Sequence, residues 1–448
     1  GTISALKAFV PTPPANAAAD PDLILASSSC PKGGSCVAVG QYHTKAGGIA
    51  GLIATLSNGS WTFTEAPFPS NADRVDELLD AVSCPAVGWC AAFGEYTVGG
   101  ANRLVIEMLS RGKWTALQAP MPSDAATNVQ GTTAFDYSIA CLSTKSCEAF
   151  GFYWPTSESA PAGVLADTYA KGHWKAAQVP MPPNAIKGPQ GLLNLSLLGF
   201  ACSASGSCAA LGMYLATGEG LDTFLDAQAG SRWTSIEAPG PSASTSYGLS
   251  SLACWAGGSC AAVGWYEKSS DEELGLIDTL TDDKWTPGSP PAPSDMSPQG
   301  GFALQYIACP TATYCAAVGI YDSEFGGSYP IEETRDGGSW QPSQPPLPAS
   351  AEPDSVTYLY GFGCAAAGEC AAIGSYLSSE GDEGGDFAAT SYGTDWQSGE
   401  FSVPAEVIGT SISTIASGGG GFWALGECTT SSQDDEGLIV KVAVIGED

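Results

Sequence analysis

Hydrophobic and polar positions alternate with a period of two through most of this chain, in short runs. ELLDAVSC (77–84), CAAFGEYT (90–97), LVIEMLS (104–110) and WTALQAP (114–120) are representative. Alternation over a few residues, bounded by Gly, Pro, Asn and Ser, predicts strands. PAVGW and RGK read as turns, so the first pair and the last pair of these strands return on themselves. Four antiparallel strands joined in this way make one blade of a propeller.

The same pattern recurs along the whole chain. CVAVGQY, CAAFGEY, CEAFGFY, CAALGMY, CAAVGWY, CAAVGIY and CAAIGSY are seven copies of one strand. An eighth, FWALGEC at 422–428, has Phe422 and Cys428 where the others have Cys and Tyr, and Ala416 where they have the earlier Cys. Such a period indicates a propeller or similar array. In C-x-A-x-G-x-Y the Ala and Gly are expected on one side of the strand, where an adjacent blade approaches closely, with Val, Phe, Leu or Ile filling the other.

The fourth strands begin at Trp61, Trp114, Trp174, Trp233, Trp285, Trp340 and Trp396, and a proline follows each eight positions later. The eighth repeat has no fourth strand of its own. Residues 3–11, ISALKAFVP, match WTALQAPMP at 114–122, with Ile3 in the Trp place and Pro11 in the proline place. The expectation is one all-β domain over 1–448, a single eight-bladed β-propeller closed by the N-terminal strand 3–11 completing the C-terminal blade. That pairing also removes two free sheet edges.

Fifteen cysteines sharpen the picture. Fourteen form C-x5-C pairs: Cys30 with Cys36, Cys84 with Cys90, Cys141 with Cys147, Cys202 with Cys208, Cys254 with Cys260, Cys309 with Cys315, and Cys364 with Cys370. Zinc sites use tighter pairs or histidines, and His43 and His173 are the only two. Local disulfides across a hairpin are the expected use, each closing a small ring for roughly 2 kcal/mol. They require an oxidising compartment, hence an extracellular or cell-surface protein. No apolar run approaches a bilayer span and no charged-then-apolar leader precedes Gly1, so the chain reads as mature or trimmed. Cys428 stands in a buried Tyr position and is expected to be an inert core thiol; the alternative is a bridge to a partner chain.

Charge then limits the partners. Asp and Glu number 47 against 16 Lys and Arg, a formal net charge of −31, although charged residues are only 14% of the chain. A field of that sign repels phosphate backbones and anionic headgroups, so nucleic acid and membrane insertion are excluded as partners.

Candidate chemistry falls on the loops. The loops between strands two and three include SSDEELG, SSEGDEGG and SSQDDEG, placing Asp271, Glu272, Asp382, Glu383, Asp434 and Asp435 on the face that also carries the links between blades. Clustered carboxylates make calcium the candidate ion, against a solvated acidic rim. Gln130, Gln190 and Gln299, each before a glycine, lie in links near the channel mouth; they present amides to a ligand or act as turn residues. The tyrosines of the G-x-Y copies and the regular Trp series are expected to pack blades. Trp154 and Trp265 fall outside that Trp series and are the aromatic candidates for a ligand contact. Asn58 and Asn194 sit in glycosylation acceptor patterns.

TRDGGSW (334–340) and TLSNGSW (55–61) resemble the Asp-box turns of sialidase-like propellers, although the Asp is clear only at Asp336 and the gap to Trp is one residue short. The full C-x5-C-x-A-x-G-x-Y repeat resembles secreted bacterial β-propeller repeat proteins, a resemblance that implies fold and compartment and no activity. A sialidase needs an arginine cluster, and of the five arginines only Arg74 and Arg103 lie on the link side. The expected function is a non-catalytic scaffold or adhesion module, a subunit or decoration of a filament or surface layer, binding glycan or protein on one face. The alternative is a secreted carbohydrate-active hydrolase or lyase using acidic residues at the channel mouth.

Overall fold

The structure, a computed structural model, describes residues 6–31, 35–126, 137–157, 163–187, 195–218, 220–255, 257–268, 272–378, 384–417 and 421–442. Every regular element among them is a β-strand. The strands form eight four-stranded antiparallel meanders, blades I to VIII. Blade II is representative: Glu77–Ala86, Trp89–Val98, Ala101–Ser110 and Lys113–Gln118 pair in chain order. The first strand of each blade lies beside the first strand of the next, and blade VIII's Val407–Ser417 lies beside blade I's Ile24–Ser29. The eight first strands thus surround a common axis.

Blade VIII takes three strands from the chain's end, Val407–Ser417, Phe422–Thr430 and Asp435–Val442. The N-terminal strand Leu6–Phe9 pairs antiparallel with the last of these, Ala8 opposite Val440 and Phe9 opposite Ile439. It also runs parallel to blade VII's outer strand, Leu6 opposite Phe401, and so joins blades VII and VIII into one eight-stranded sheet. Blade I packs on blade VIII through Leu25, Leu52, Trp423, Leu425 and Ile439, and Trp61 meets Trp423 edge to face at 5.8 Å.

One detail of the N-terminal match shifts. In each link to a blade the carbonyl of a proline accepts the amide three residues on, at Pro14, Pro69, Pro122, Pro182, Pro241, Pro293, Pro348 and Pro404. The proline that makes this turn into blade I is Pro14, three residues beyond the expected Pro11, because the register of Ala8 on Val440 puts Leu6, not Ile3, in the place Trp61 holds in blade I.

The glycine of G-x-Y is also explained differently from the sequence reading. In seven blades the first strand holds a two-against-one bulge opposite the residue before this glycine: Leu25 and Ser27, for example, face Gly40 and Val39, leaving Ala26 extra. Asp80, Leu198, Ser250, Gln305, Tyr360 and Ser413 are the extra residues elsewhere. The bulge drives a backbone carbonyl of the same sheet into the space a Cβ would occupy. A methyl at Gly40, Gly264 or Gly319 would stand 1.9 Å from the oxygen of Ile24, Gly248 or Ala303. Close approach within the blade, not between blades, is what requires glycine here.

The C-x5-C pairs are disulfides in all seven blades that carry them, at the far end of the same two strands. Cys30 is bonded to Cys36, Cys84 to Cys90, Cys141 to Cys147 and Cys202 to Cys208. Cys254 is bonded to Cys260, Cys309 to Cys315 and Cys364 to Cys370. Their Cα atoms lie 3.9–4.1 Å apart, because the two strands of a hairpin bring the paired positions face to face. In blades III, IV, V and VII the partners stand directly opposite in the ladder, Cys141 to Cys147, Cys202 to Cys208, Cys254 to Cys260 and Cys364 to Cys370. The second cysteine of each pair is the deeper one: Cys36, Cys90, Cys147, Cys208, Cys260, Cys315 and Cys370 are all buried at the start of strand two. Cys428 is free and buried; burial, with Glu436 and Asp435 beside it, pushes its thiol up to about 11, which leaves it protonated and unreactive at neutral pH.

Gly264→Ala is expected to destabilise the protein by about 1–3 kcal/mol in denaturant unfolding, since only backbone movement relieves the clash. Gly288→Ala, where the nearest atom to the new methyl lies at 3.4 Å, is the comparison and is expected to change little.

Candidate functional site

The link face is built around the seven tyrosines. All are buried in the ring, at 0–6% exposure, so none offers a stacking surface. Their hydroxyls instead reach the turn that enters each blade. Tyr42 donates to Asn16 (2.8 Å), Tyr96 to Asn71 (3.1 Å), Tyr153 to Asp124 (2.9 Å), Tyr214 to Asn184 (2.8 Å) and Tyr321 to Asp295 (3.0 Å). Tyr376 reaches Ser350 (2.9 Å), and Tyr266 instead donates to Ser289 (3.3 Å).

In five blades a third polar group completes the arrangement, four positions after Trp61, Trp114, Trp233, Trp340 and Trp396. Asn16 and Asn184 donate to Glu65 (3.0 Å) and Glu237 (2.8 Å), Asn71 donates to Gln118 (3.1 Å), and Gln344 donates to Tyr321 (2.9 Å). Glu400 accepts from both Tyr376 and Ser350. Burial raises the phenols of Tyr42, Tyr96, Tyr153, Tyr214, Tyr321 and Tyr376, Tyr42 to about 12, so they stay donors across the physiological range. In blade VIII Cys428 takes the Tyr place.

Among the described residues the sequence-derived site residues do not converge. Trp154 packs against the core shared by blades II to IV, and its indole N–H is enclosed with no acceptor among the described residues. Trp265 is half-buried and covers Gly248 of its own blade's first strand. Gln299 is exposed in a turn whose Gly300 amide donates to Ser297 (3.0 Å). Gln130 and Gln190 lie outside the described residues, as do Asp271, Asp382, Glu383 and Asn194. Glu272 pairs with Lys268 at 3.6 Å. Asp434 accepts from Ser432 (2.6 Å) and Asp435 from Thr429 (2.8 Å). Among the described residues no three of His, Cys, Asp and Glu come together as metal ligands.

Buried carboxyls are what the sequence reading missed. Seven residues before the strand-four Trp, blades II to VI carry Glu107, Asp167, Asp226, Asp278 and Glu333, each 0% exposed. Blades I and VII have Ala54 and Ala389 there. Each acid stands opposite an alanine of strand two: Ala92, Ala149, Ala210, Ala262 and Ala317. The alanine leaves the space the carboxyl fills. None of these ten oxygens has a hydrogen-bond partner among the described residues. The signal was available: an acid at a fixed offset from Trp, inside an otherwise apolar strand.

Burial makes these groups weak acids. Desolvation raises Asp278 to about 7, and desolvation with a second carboxyl nearby raises Asp167 and Glu333 to about 8, the second being Glu148 and Glu332 respectively. Burial also raises Asp226, and burial with Glu77 nearby raises Glu107, well above the usual carboxylate range. Glu77, buried and beside Glu65, rises to about 8. Glu148 accepts from Thr168 (3.0 Å), and Glu332 from Ser343 (2.7 Å) and the indole of Trp396 in the next blade (2.8 Å). Such groups can hold protons, but they sit where no substrate reaches.

The arginines are spread around the ring. Arg74 lies over Phe68 (5.8 Å) and Arg335 over Trp255 (5.6 Å). No family model matches the chain, and no curated protein matches it. Among solved structures it is similar to the GH74 xyloglucanase of Xanthomonas campestris, at TM-score 0.44 and 14% identity over 92% of this chain and 59% of that one. It is similar too to Trypanosoma rangeli sialidase in complex with sialic acid (TM-score 0.34, 10% identity, 67% and 52% covered). A Dyadobacter fermentans protein of unknown function gives TM-score 0.38 and 9% identity over 74% and 98%. The chain spans about half the length of the sialidases it matches. At these identities the likeness is one of fold alone.

The raised carboxyls fix a direction of pH dependence. In the unfolded chain they ionise near pH 4, whereas in the fold Asp278, Asp167 and Glu333 hold their protons to about 7–8. Between those limits the folded state binds more protons, so their contribution is fully present below about pH 4 and is lost as pH rises through 7–8. Thermal unfolding is expected at higher temperature near pH 4.5 than near pH 8, and Asp167→Asn with Asp278→Asn and Glu333→Gln is expected to flatten the dependence, on the order of 1.4 kcal/mol per group per pH unit at most. A melting temperature that climbs with pH over this interval would contradict the assignment.

Proposed function

We propose that this chain is a non-catalytic extracellular scaffold and adhesion module that holds a glycan or a protein on one face of its ring, with attachment to a surface layer or filament as its structural use. The observation that carries this reading is the enclosure of its paired acids. A glycosidase needs two carboxyls about 5–10 Å apart beside an open site. Two carboxyl pairs raised by desolvation, Glu148 with Asp167 and Glu332 with Glu333, are buried in the blades. On the open link face, Asn16, Asn71 and Asn184 are occupied in holding the links to the blades. The seven disulfides support an oxidising, extracellular setting.

Incubation of the protein with a panel of neutral and acidic polysaccharides, followed by assay for new reducing ends and for unsaturated uronate, is expected to yield no product above a protein-free blank. Co-sedimentation with at least one insoluble cell-surface polysaccharide or surface-protein fraction is the expected positive result. Product release would establish the hydrolase or lyase alternative.

A further inference from the structure

Blade III carries an open cleft at its disulfide end, opposite the link face. Its volume is about 610 Å³ and its lining includes Thr144, Lys145, Ser146, Tyr169, Lys171 and Gly172. Tyr169 is half-buried there, with Trp89 of blade II 6.0 Å and Trp174 5.2 Å from its ring. Lys145 and Lys171 are exposed, and neither pairs with a carboxylate among the described residues. The lining contains no acid.

The surroundings reinforce the local charge. At this end the hairpin turns of blades II to IV, at 85–89, 110–113, 143–146, 170–173, 203–207 and 229–232, hold Arg111, Lys113, Lys145, Lys171 and Arg232 with no Asp or Glu. In a chain of net charge −31 that is a strong local reversal of sign. Lysine ammonium groups are compact charges that receive a carboxylate or sulfate from many directions. Aromatic faces beside them suit the apolar face of a pyranose ring, which a bare phosphate or a peptide carboxylate lacks. The field of the rest of the molecule repels long polyanions, which leaves short acidic segments as the fitting ligands.

We infer that the blade III cleft binds an acidic oligosaccharide, a uronate or sulfated sugar whose ring lies on Tyr169 while Lys145 and Lys171 hold its charge. The inference rests on the scaffold reading and gives it a ligand class. It places that ligand on the face opposite the one propeller connectivity first suggests.

Isothermal titration of the full chain with a galacturonate hexamer, a heparin-derived hexasaccharide and neutral maltohexaose tests it, the first two separating carboxylate from sulfate. At least one acidic oligosaccharide is expected to bind, more weakly as salt rises from about 20 to about 500 mM, while maltohexaose does not. Lys145→Gln with Lys171→Gln is expected to lower affinity about tenfold or more. Lys187→Gln with Lys284→Gln, the same change in net charge elsewhere, is expected to leave it unaltered. The inference is overturned if neither acidic oligosaccharide binds, if maltohexaose binds equally, or if the two double variants behave alike. Assaying the same samples for reducing ends keeps the two readings apart: binding with product release retains the cleft and removes the non-catalytic assignment.

Discussion

The ring depends on the pairing of its two chain ends. Blade VIII has only three strands from the C-terminal segment, and without a fourth the edge at Leu438–Val442 would stand open beside blade VII. The pairing of Ala8 with Val440 and of Phe9 with Ile439 fills that edge. It also orders the contact between blades VIII and I, where Leu425 and Ile439 meet Leu25 and Leu52. Every other blade is a local hairpin assembly; this one alone joins residues more than 400 positions apart, so it carries the largest cost in chain entropy.

Within most blades a second constraint sets the register of strands one and two. A disulfide clamps one end, a bulge facing glycine fixes the middle, and a tyrosine hydroxyl ties the other end to the incoming link. A one-residue slip would turn every inward side chain outward. In blades I, II, IV, VI and VII all three anchors are present, which blocks the slip and keeps the first strands in place around the axis. The cost is that much of the polar chemistry of the link face, Asn16, Asn71, Asn184 and their partners, is taken up in structure.

The architecture was legible in the sequence because its determinants repeat. Eight copies of one strand and the regular Trp gave the blade count, the likeness of the N-terminal segment to a fourth strand gave its place beside blade VIII with a register three residues off, and the constant C-x5-C spacing gave the disulfide partners, from Cys30 with Cys36 to Cys364 with Cys370. The role of glycine was misread because the bulge that demands it lies on a different strand, whose sequence varies from Leu-Ala-Ser to Leu-Tyr-Gly. Buried acids were missed for a related reason: Glu107 or Asp278, seen in an alternating strand, looks like the polar outward position, yet in a propeller both faces of the sheet are covered. Candidate ligand residues were least legible. Trp154 and Trp265 were singled out for leaving the repeat, but departure from the repeat says nothing about exposure, and Trp89, whose ring lies 6.0 Å from that of Tyr169 in the cleft, went unremarked among the turn residues.

The most direct test of closure traps the terminal pairing. Residues opposite each other in an antiparallel ladder lie within disulfide range, so Ala8→Cys with Val440→Cys is expected to form a bond on mild oxidation, linking the N-terminal and C-terminal peptides in a mass spectrum while the seven native disulfides persist. If both new thiols stay free, or Cys at position 8 couples anywhere other than position 440, the N-terminal strand does not complete blade VIII and the eight-bladed ring is wrong.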